Sequence, residues 1–179
     1  MHRHNLRVRL TLIVFLVLSA AAKPQEDKSK RPSPPGTTEC TIKGKKVTIA
    51  YSRPSLRGRK MEMLVPNGQV WRTGANEATT LTTEADLDIG GAKVPAGTYT
   101  LYTLPSAGPW KLIINKQTGQ WGTVYNQSQD LARVDMKVGQ LPSGLEVFTI
   151  SFDKTGGDSA MLRIDWENTT ATVNVREKK

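Results

Sequence analysis

Histidine and cysteine are almost absent from this 179-residue sequence. The two histidines, His2 and His4, lie at the very start, and Cys40 is the single cysteine. One cysteine permits no intramolecular disulfide, and we interpret it as a small, half-buried strand residue. If the first 22 residues are removed as a leader, the remaining chain has no imidazole. This excludes Ser-His-Asp and Cys-His catalytic arrangements and the commonest transition-metal ligand.

Cofactor and metal sites are therefore not expected. A calcium site made of oxygen ligands stays open in principle, but no Asp-rich loop supports one. We predict no metal site and no cofactor.

Long hydrophobic runs are also missing, apart from one near the N-terminus. The segment Leu10–Leu18 is apolar except at one threonine, follows basic residues and precedes the small residues Ser19–Ala22. This pattern is typical of a signal peptide, residues 1–22, cleaved before Lys23. The run is too short to span a bilayer, which takes about 20 apolar residues. We predict an exported protein with no transmembrane segment after cleavage; the alternative is an uncleaved N-terminal anchor.

The charge is basic, but the sequence has no nucleic-acid-binding motif. The leader carries three arginines and no acid, so the rest has 22 basic and 16 acidic residues, a net charge of +6. Aromatic residues are not interleaved with the basic ones as stacking platforms, and we predict no nucleic-acid partner. A modestly basic exported domain suits an anionic or glycan ligand. Residues 23–38 are rich in Lys, Ser and Pro, which predicts a disordered linker.

Helical periodicity is missing from residues 39–179, the predicted domain. Short runs of β-forming residues, such as Val47–Tyr51 and Thr98–Leu104, alternate with Gly, Pro and Asn turns. Turn residues at Pro142–Gly144 and Glu167–Thr169 predict that the C-terminal strands are separate. The pattern predicts one all-β domain, an antiparallel β-sandwich of jelly-roll-like type.

Two polar runs, Tyr51–Lys60 and Trp71–Thr80, follow predicted strands, and we predict that they form any ligand site. Arginines supply forked donors for a carboxylate, sulfate or phosphate. A glycine lets backbone N–H groups face one anion, and tryptophans offer flat faces to a sugar ring or a cation. The predicted ligand-binding residues are Tyr51, Ser52, Arg53, Arg57, Trp71, Arg72, Thr73, Gly74, Asn76, Glu77 and Trp121.

The same residues have a structural interpretation. Arg72 or Arg53 paired with Glu77 would make a buried ion pair across one end of the sandwich, with Trp71 as ordinary core. Breaking such a pair costs about 3–5 kcal/mol. A third interpretation is a hydrolase or lyase using Glu77, for which Asp130 is a candidate second carboxylate, although nothing in the spacing brings the two together. No catalytic residue is assigned.

Several motifs together resemble one protein family. They are Tyr51–Ser55, Gly58-Arg59, Leu64–Gly68, Val70–Thr79, Pro95–Tyr99, Trp121-Gly122 and Trp166–Thr169. From residue 41 to residue 175 the chain is similar to the bacterial DUF2911 family, a domain of unknown function. The resemblance implies a bacterial exported protein, periplasmic or extracellular, with a β-sandwich-like fold, and it supplies no catalytic residue.

The leading hypothesis is binding, without chemistry, of an anionic or carbohydrate-like ligand of the cell envelope. Its motivation is the arginine, asparagine and tryptophan content of the two polar runs and the lack of a catalytic histidine or cysteine arrangement. The alternative is a structural or interaction module of the envelope.

Overall fold

The computed structural model describes residues 26–154 and 157–178, so the predicted signal peptide lies outside the described residues. Within them the chain forms strands and three short 3-10 turns, at Lys28–Lys30, Met61–Met63 and Gln127–Gln129, and no helix long and apolar enough to cross a membrane. The strands are β1 (Pro35–Ile42), β2 (Lys45–Ser52), β3 (Thr80–Thr83), β4 (Leu87–Ile89), β5 (Ala92–Val94), β6 (Gly97–Leu104), β7 (Trp110–Asn115), β8 (Asp130–Lys154) and β9 (Ser159–Glu177).

These strands form one antiparallel sheet in the order β1-β2-β3-β6-β7-β8-β9-β4-β5. The long strand β8 belongs to both halves of it. Its first part, to Met136, pairs with β7, and from Lys137 onward it pairs with β9. The sheet therefore doubles over into two layers that share β8. The predicted all-β fold with a β-sandwich-like core is confirmed.

The two layers are joined a second time just after β2. The carbonyl of Pro54 accepts a hydrogen bond from the N–H of Phe148 at 2.9 Å, and the N–H of Leu56 donates to the carbonyl of Glu146 at 3.0 Å. Proline has no N–H to donate, so only its carbonyl is used here. This short pairing brings the end of β2 against β8.

Aromatic side chains fill the space between the layers. Trp71 stacks on Trp166 with ring centroids 5.8 Å apart and meets Phe148 edge-on at 5.1 Å. Tyr51 also meets Phe148 edge-on, at 5.8 Å. Offset-stacked and edge-to-face pairs of this kind add about 0.5–1.5 kcal/mol beyond the area they bury. Trp71 is therefore part of the core, as the structural interpretation of its motif expects.

Strand β6 is covered on both faces. Its residues from Tyr99 to Thr103 are all buried, although alternate side chains point to opposite faces. On the side away from the aromatic core, the hydroxyls of Thr100 and Tyr102 donate to the carbonyls of Gln117 and Val124, at 2.7 Å each. The irregular loop after β7 thus lies over β6 as a second cover.

The separate C-terminal strands predicted from turn residues are wrong. Strand β8 runs through Pro142–Gly144, and β9 runs through Glu167–Thr169. The β8–β9 register shifts between Gln140 and Leu145 and again before Thr149, and Glu167 has a positive φ of 49°. The turn residues therefore produce bulges, which bend a paired strand without ending it.

The segment predicted as a disordered linker is described from Glu26 onward. There it makes a 3-10 turn whose cap, Asp27, accepts from the N–H of Ser29, and β1 already begins at Pro35. We call residues 26–34 the strap. The strap lies against the domain through contacts that the composition does not reveal, because the partners are distant in sequence.

Tyr51→Phe is expected to lower the free energy of unfolding by about 1–3 kcal/mol. The Tyr51 hydroxyl is the partner of both backbone groups of Ile150: it accepts from the N–H at 3.0 Å and donates to the carbonyl at 3.2 Å. Losing it leaves buried groups unpaired. Urea unfolding measures the change. Tyr99→Phe is the control, because its hydroxyl makes one bond to nearby Pro95 and should cost about 0.5–1.5 kcal/mol. Equal losses in both variants would contradict this assignment.

Candidate functional site

The two polar runs predicted from the sequence meet in the structure. The loop between Trp71 and β3 folds onto the end of β2, where Gly74 lies so close that a Cβ there would be 3.0 Å from the carbonyl oxygen of Ser52. The Asn76 side chain donates to the Ser52 hydroxyl at 3.4 Å. Residues of the second run therefore contact Ser52, near the beginning of the first run.

Left-handed backbone conformations give this loop its shape. Thr73, Gly74 and Asn76 have φ values of 53°, 148° and 58°. The hydroxyl of Thr79 donates to the carbonyl of Thr73 at 2.7 Å, and the hydroxyl of Thr73 donates to that of Thr103 at 3.2 Å. Thr73 is completely buried and faces the protein. It shapes the loop and offers no group to a ligand.

Glu77 faces the strap. Nη1 of Arg31 lies 3.0 and 2.8 Å from the two carboxylate oxygens, and Nζ of Lys28 lies 2.8 Å from one of them. The hydrogen bond from Lys28, with that from Arg31, lowers the pKa of Glu77 from 4.5 to about 2. The ion pair predicted between Glu77 and Arg72 or Arg53 is wrong: the cations come from the strap, 46 residues before Glu77 in the case of Arg31.

The arginines of the first run contact the protein and the strap. Nε and Nη2 of Arg53 donate to the carbonyl of Phe148 at 3.4 Å and to the hydroxyl of Thr149 at 3.2 Å. Arg57 is exposed, and its Nη2 donates to the carbonyl of Pro32 at 3.1 Å. Both side chains hold neighbouring segments in place.

Three cavities adjoin these runs. The first, of about 190 Å³, lies between the strap and the domain and is lined by Arg31, Tyr51, Ser52 and Glu77 among others. The second, of about 310 Å³, is lined by Trp71, Arg72, Tyr102 and Tyr125, with Leu64, Pro66, Val70, Gly122 and Thr123. The third, of about 190 Å³, shares Leu64, Trp71 and Arg72 with the second and extends to Arg59 and Trp166.

Arg72 is held at the boundary of the second and third cavities. Its Nε donates to the carbonyl of Gly74 at 3.2 Å. Its stem passes Gly122 so closely that a Cβ on that glycine would lie 3.0 Å from the arginine Cδ. No residue in the described part of the chain accepts a hydrogen bond from either terminal nitrogen of Arg72. The guanidinium is thus fixed at one end and available at the other.

Sequence reasoning missed Tyr102 and Tyr125 as cavity residues. Their rings meet edge-on at 4.9 Å. The Tyr125 hydroxyl donates to Asp130 at 2.7 Å and accepts from Arg133 at 2.6 Å, and burial raises the pKa of Tyr125 to about 12. The alternation of β6 indicated that Tyr102 lies on the face opposite the core. The position of the loop that covers this face could not be predicted from the sequence.

Trp121, by contrast, was predicted as a site residue and does not line any of these three cavities. Its backbone pairs with that of Glu77, and its side chain is 47% exposed. It lies on the surface of the loop that covers β6.

Neither candidate carboxylate, Glu77 or Asp130, is placed for general acid–base catalysis. A carboxylate with a pKa of about 2 is a weak base and is ionised at neutral pH, so Glu77 is poorly suited to general acid–base catalysis. Asp130 is engaged by Tyr125, Arg133 and Asn115. Among the residues that the structure describes, no group of three or more His, Cys, Asp or Glu side chains is placed to hold a metal ion.

Comparison with known proteins gives one finding. A family model described as "Protein of unknown function (DUF2911)" matches residues 33–175. No curated protein and no solved structure matches the chain.

Glu77→Gln is expected to destabilise the protein by about 1 kcal/mol at pH 7, a value kept small because the Glu77 side chain is 39% exposed to screening water. The folded pKa lies below the ordinary value of 4.5, so the ion pairs contribute fully above that value and lose their contribution as the pH falls towards 2. The stability difference between wild type and variant should therefore shrink from pH 4.5 to pH 2. Urea unfolding at each pH measures it, with exposed Glu62→Gln as control. A constant difference would contradict the assignment.

Gly74→Ala is expected to lower the melting temperature more than Gly119→Ala. Both glycines have positive φ, which costs other residues about 1–3 kcal/mol. Only at Gly74 would the new Cβ also press on the backbone of Ser52; at Gly119 nothing lies within 4 Å. Thermal unfolding of the two variants tests whether the loop is packed this tightly. Equal shifts would show that it is not.

Proposed function

The chain belongs to the DUF2911 family of proteins of unknown function, and from this premise we propose that it is an exported domain that binds a small anionic ligand. The binding site is the second cavity, next to Arg72, and binding involves no chemistry. The ligand class is a compact ring that carries an acidic group, such as an acidic sugar or an aromatic acid.

The observation that carries the proposal is the placement of Arg72. Most arginines on a protein surface move freely, but this one is fixed by the Gly74 carbonyl and by its close passage along Gly122. Its terminal nitrogens remain unused by the described residues and border a cavity. A pre-positioned guanidinium loses little conformational freedom on binding, and its forked donors match the two oxygens of a carboxylate or phosphate.

The remaining walls suit a ring. Trp71, Tyr102 and Tyr125 provide aromatic surface, and Leu64 and Val70 add aliphatic surface. A volume of about 310 Å³ is at the small end of ligand sites, which suits a single ring. The lining combines aromatic and aliphatic side chains with one convergent charged group, a combination found in small-molecule sites.

Two further observations favour binding over the alternatives. The structural alternative pairs Glu77 with Arg72 or with Arg53, whereas Arg72 donates to the Gly74 carbonyl, Arg53 donates to Phe148 and Thr149, and Glu77 pairs with the strap. The enzymatic alternative requires a usable carboxylate, which neither Glu77 nor Asp130 provides. Export is supported by the signal-like residues 1–22 of the sequence.

A thermal-shift screen of the mature chain, Lys23 to Lys179, against acidic sugars, sugar phosphates and aromatic carboxylates tests the proposal. A ligand at about one hundred times its Kd stabilises by about 2.7 kcal/mol, which is several degrees for a domain of this size. We expect Arg72→Gln to weaken binding of a hit at least tenfold with the fold retained.

Arg176→Gln is the matched control, because Arg176 contacts Asp88 and does not line the Arg72 cavity. It should leave binding unchanged. The proposal fails if no compound of these classes shifts the melting temperature, or if Arg72→Gln binds a hit as tightly as the wild type.

A further inference from the structure

Three consecutive carbonyl groups of the strap are hydrogen-bonded by the domain. The carbonyl of Pro32 accepts from the side chain of Arg57 at 3.1 Å, and that of Ser33 accepts from the side chain of Asn76 at 3.0 Å. The carbonyl of Pro34 accepts from the backbone N–H of Arg53 at 2.9 Å. The domain therefore recognises this stretch through its backbone, and these contacts do not depend on the identity of its side chains.

Two side chains of the strap are recognised as well. Arg31 is only 16% exposed and donates to both oxygens of Glu77, and Lys28 pairs with the same carboxylate. Backbone hydrogen bonds combined with recognition of particular side chains are how peptide-binding grooves capture their ligands.

After the 3-10 turn at Lys28–Lys30, the strap leaves the turn through a residue in the backbone conformation that such grooves select. Arg31 has φ −68° and ψ 149°, close to polyproline II geometry. Prolines at positions 32, 34 and 35 restrict the backbone that follows. A segment whose backbone is restricted by prolines gives up little entropy on binding, which is why proline-rich peptides are common ligands.

The charged anchors lie outside the matched family region, and the groove lies inside it. The match begins at residue 33, so Lys28 and Arg31 precede it, while Arg53, Asn76 and Glu77 lie within it. A cavity of about 190 Å³ also remains between strap and domain, so the strap does not fill the groove. The groove therefore belongs to the family domain, whereas the charged side chains that occupy it, Lys28 and Arg31, come from the segment before the domain.

We propose that the groove formed by Arg53, Arg57, Asn76 and Glu77 is a binding site for basic, proline-containing peptide segments. The strap is the occupant that this chain supplies to itself. A segment of the same chemistry from another protein takes its place. This inference concerns the Glu77 groove and is independent of the ligand proposed for the Arg72 cavity.

The test is a competition experiment on the full-length mature chain. Residues 26–34 are replaced by a Gly-Ser sequence of equal length, and a fluorescent peptide with the sequence of residues 26–36 is added. We expect fluorescence anisotropy to show binding at least tenfold tighter to this chain than to the wild type. In the wild type the tethered strap competes at an effective concentration in the millimolar range.

Three comparisons give the result its meaning. Glu77→Gln in the strap-replaced chain should weaken peptide binding at least tenfold, whereas Glu62→Gln, an exposed glutamate away from the groove, should not. A peptide with alanine in place of both Lys28 and Arg31 should also bind at least tenfold more weakly.

Circular dichroism verifies that the strap-replaced chain is folded. If it is not, Arg31→Ala in the otherwise intact chain takes its place, because this variant removes an anchor and keeps the backbone contacts. It should bind the peptide more tightly than the wild type does. The inference is overturned if a folded variant fails to bind the peptide, or if binding is insensitive to Glu77→Gln.

Discussion

The anchoring of Trp71 determines the arrangement of both candidate sites. Its ring is packed between Phe148 and Trp166 in the core, and its backbone N–H and carbonyl pair with Thr103 at 2.8 and 3.0 Å. Because both ends of this residue are fixed, the chain that follows has one direction in which to leave the core. Arg72 emerges at the cavity wall, and the following loop returns over the end of β2. A smaller residue at position 71 would release the loop and the arginine together.

The Trp71–Thr80 run serves two different surfaces. Arg72, at one end, borders an aromatic cavity and leaves its terminal nitrogens open among the described residues. Asn76 and Glu77, at the other end, hold the strap. From the sequence alone, Arg72 and Glu77 were expected to form an ion pair, since they are five positions apart and opposite in charge. In the structure the intervening left-handed residues direct them to different neighbours. The charge of Glu77 is therefore compensated by the strap, whereas the terminal nitrogens of Arg72 have no hydrogen-bond acceptor among the described residues.

Local patterns predicted those parts of the molecule that depend on local physics. The dense β-formers of Thr98–Leu104 indicated a strand, and β6 confirms it. The same reasoning failed at Pro142–Gly144, because pairing along β8 and β9 overrides turn preference. No pattern could reveal the contact of Arg31 with Glu77, since it joins positions 46 residues apart. The role of Tyr125 was hidden for the same reason: it depends on a loop that packs over β6.

Backbone strain at Thr73 indicates that the Trp71–Thr80 run does more than connect two strands. Asparagine and glycine tolerate positive φ, but Thr73 is β-branched, and a φ of 53° is a true outlier for such a residue. Conformations of this kind cost about 1–3 kcal/mol each and persist only where the surroundings impose them. Here Thr103 and Thr79 hold Thr73 from both sides, and Gly122 donates its N–H to the carbonyl of Asn76 at 2.9 Å. A turn needed only to connect two strands would avoid this cost with glycine at position 73. Keeping the strained threonine fixes the loop in one shape, and that shape is what holds Arg72 beside its cavity and Glu77 beside the strap.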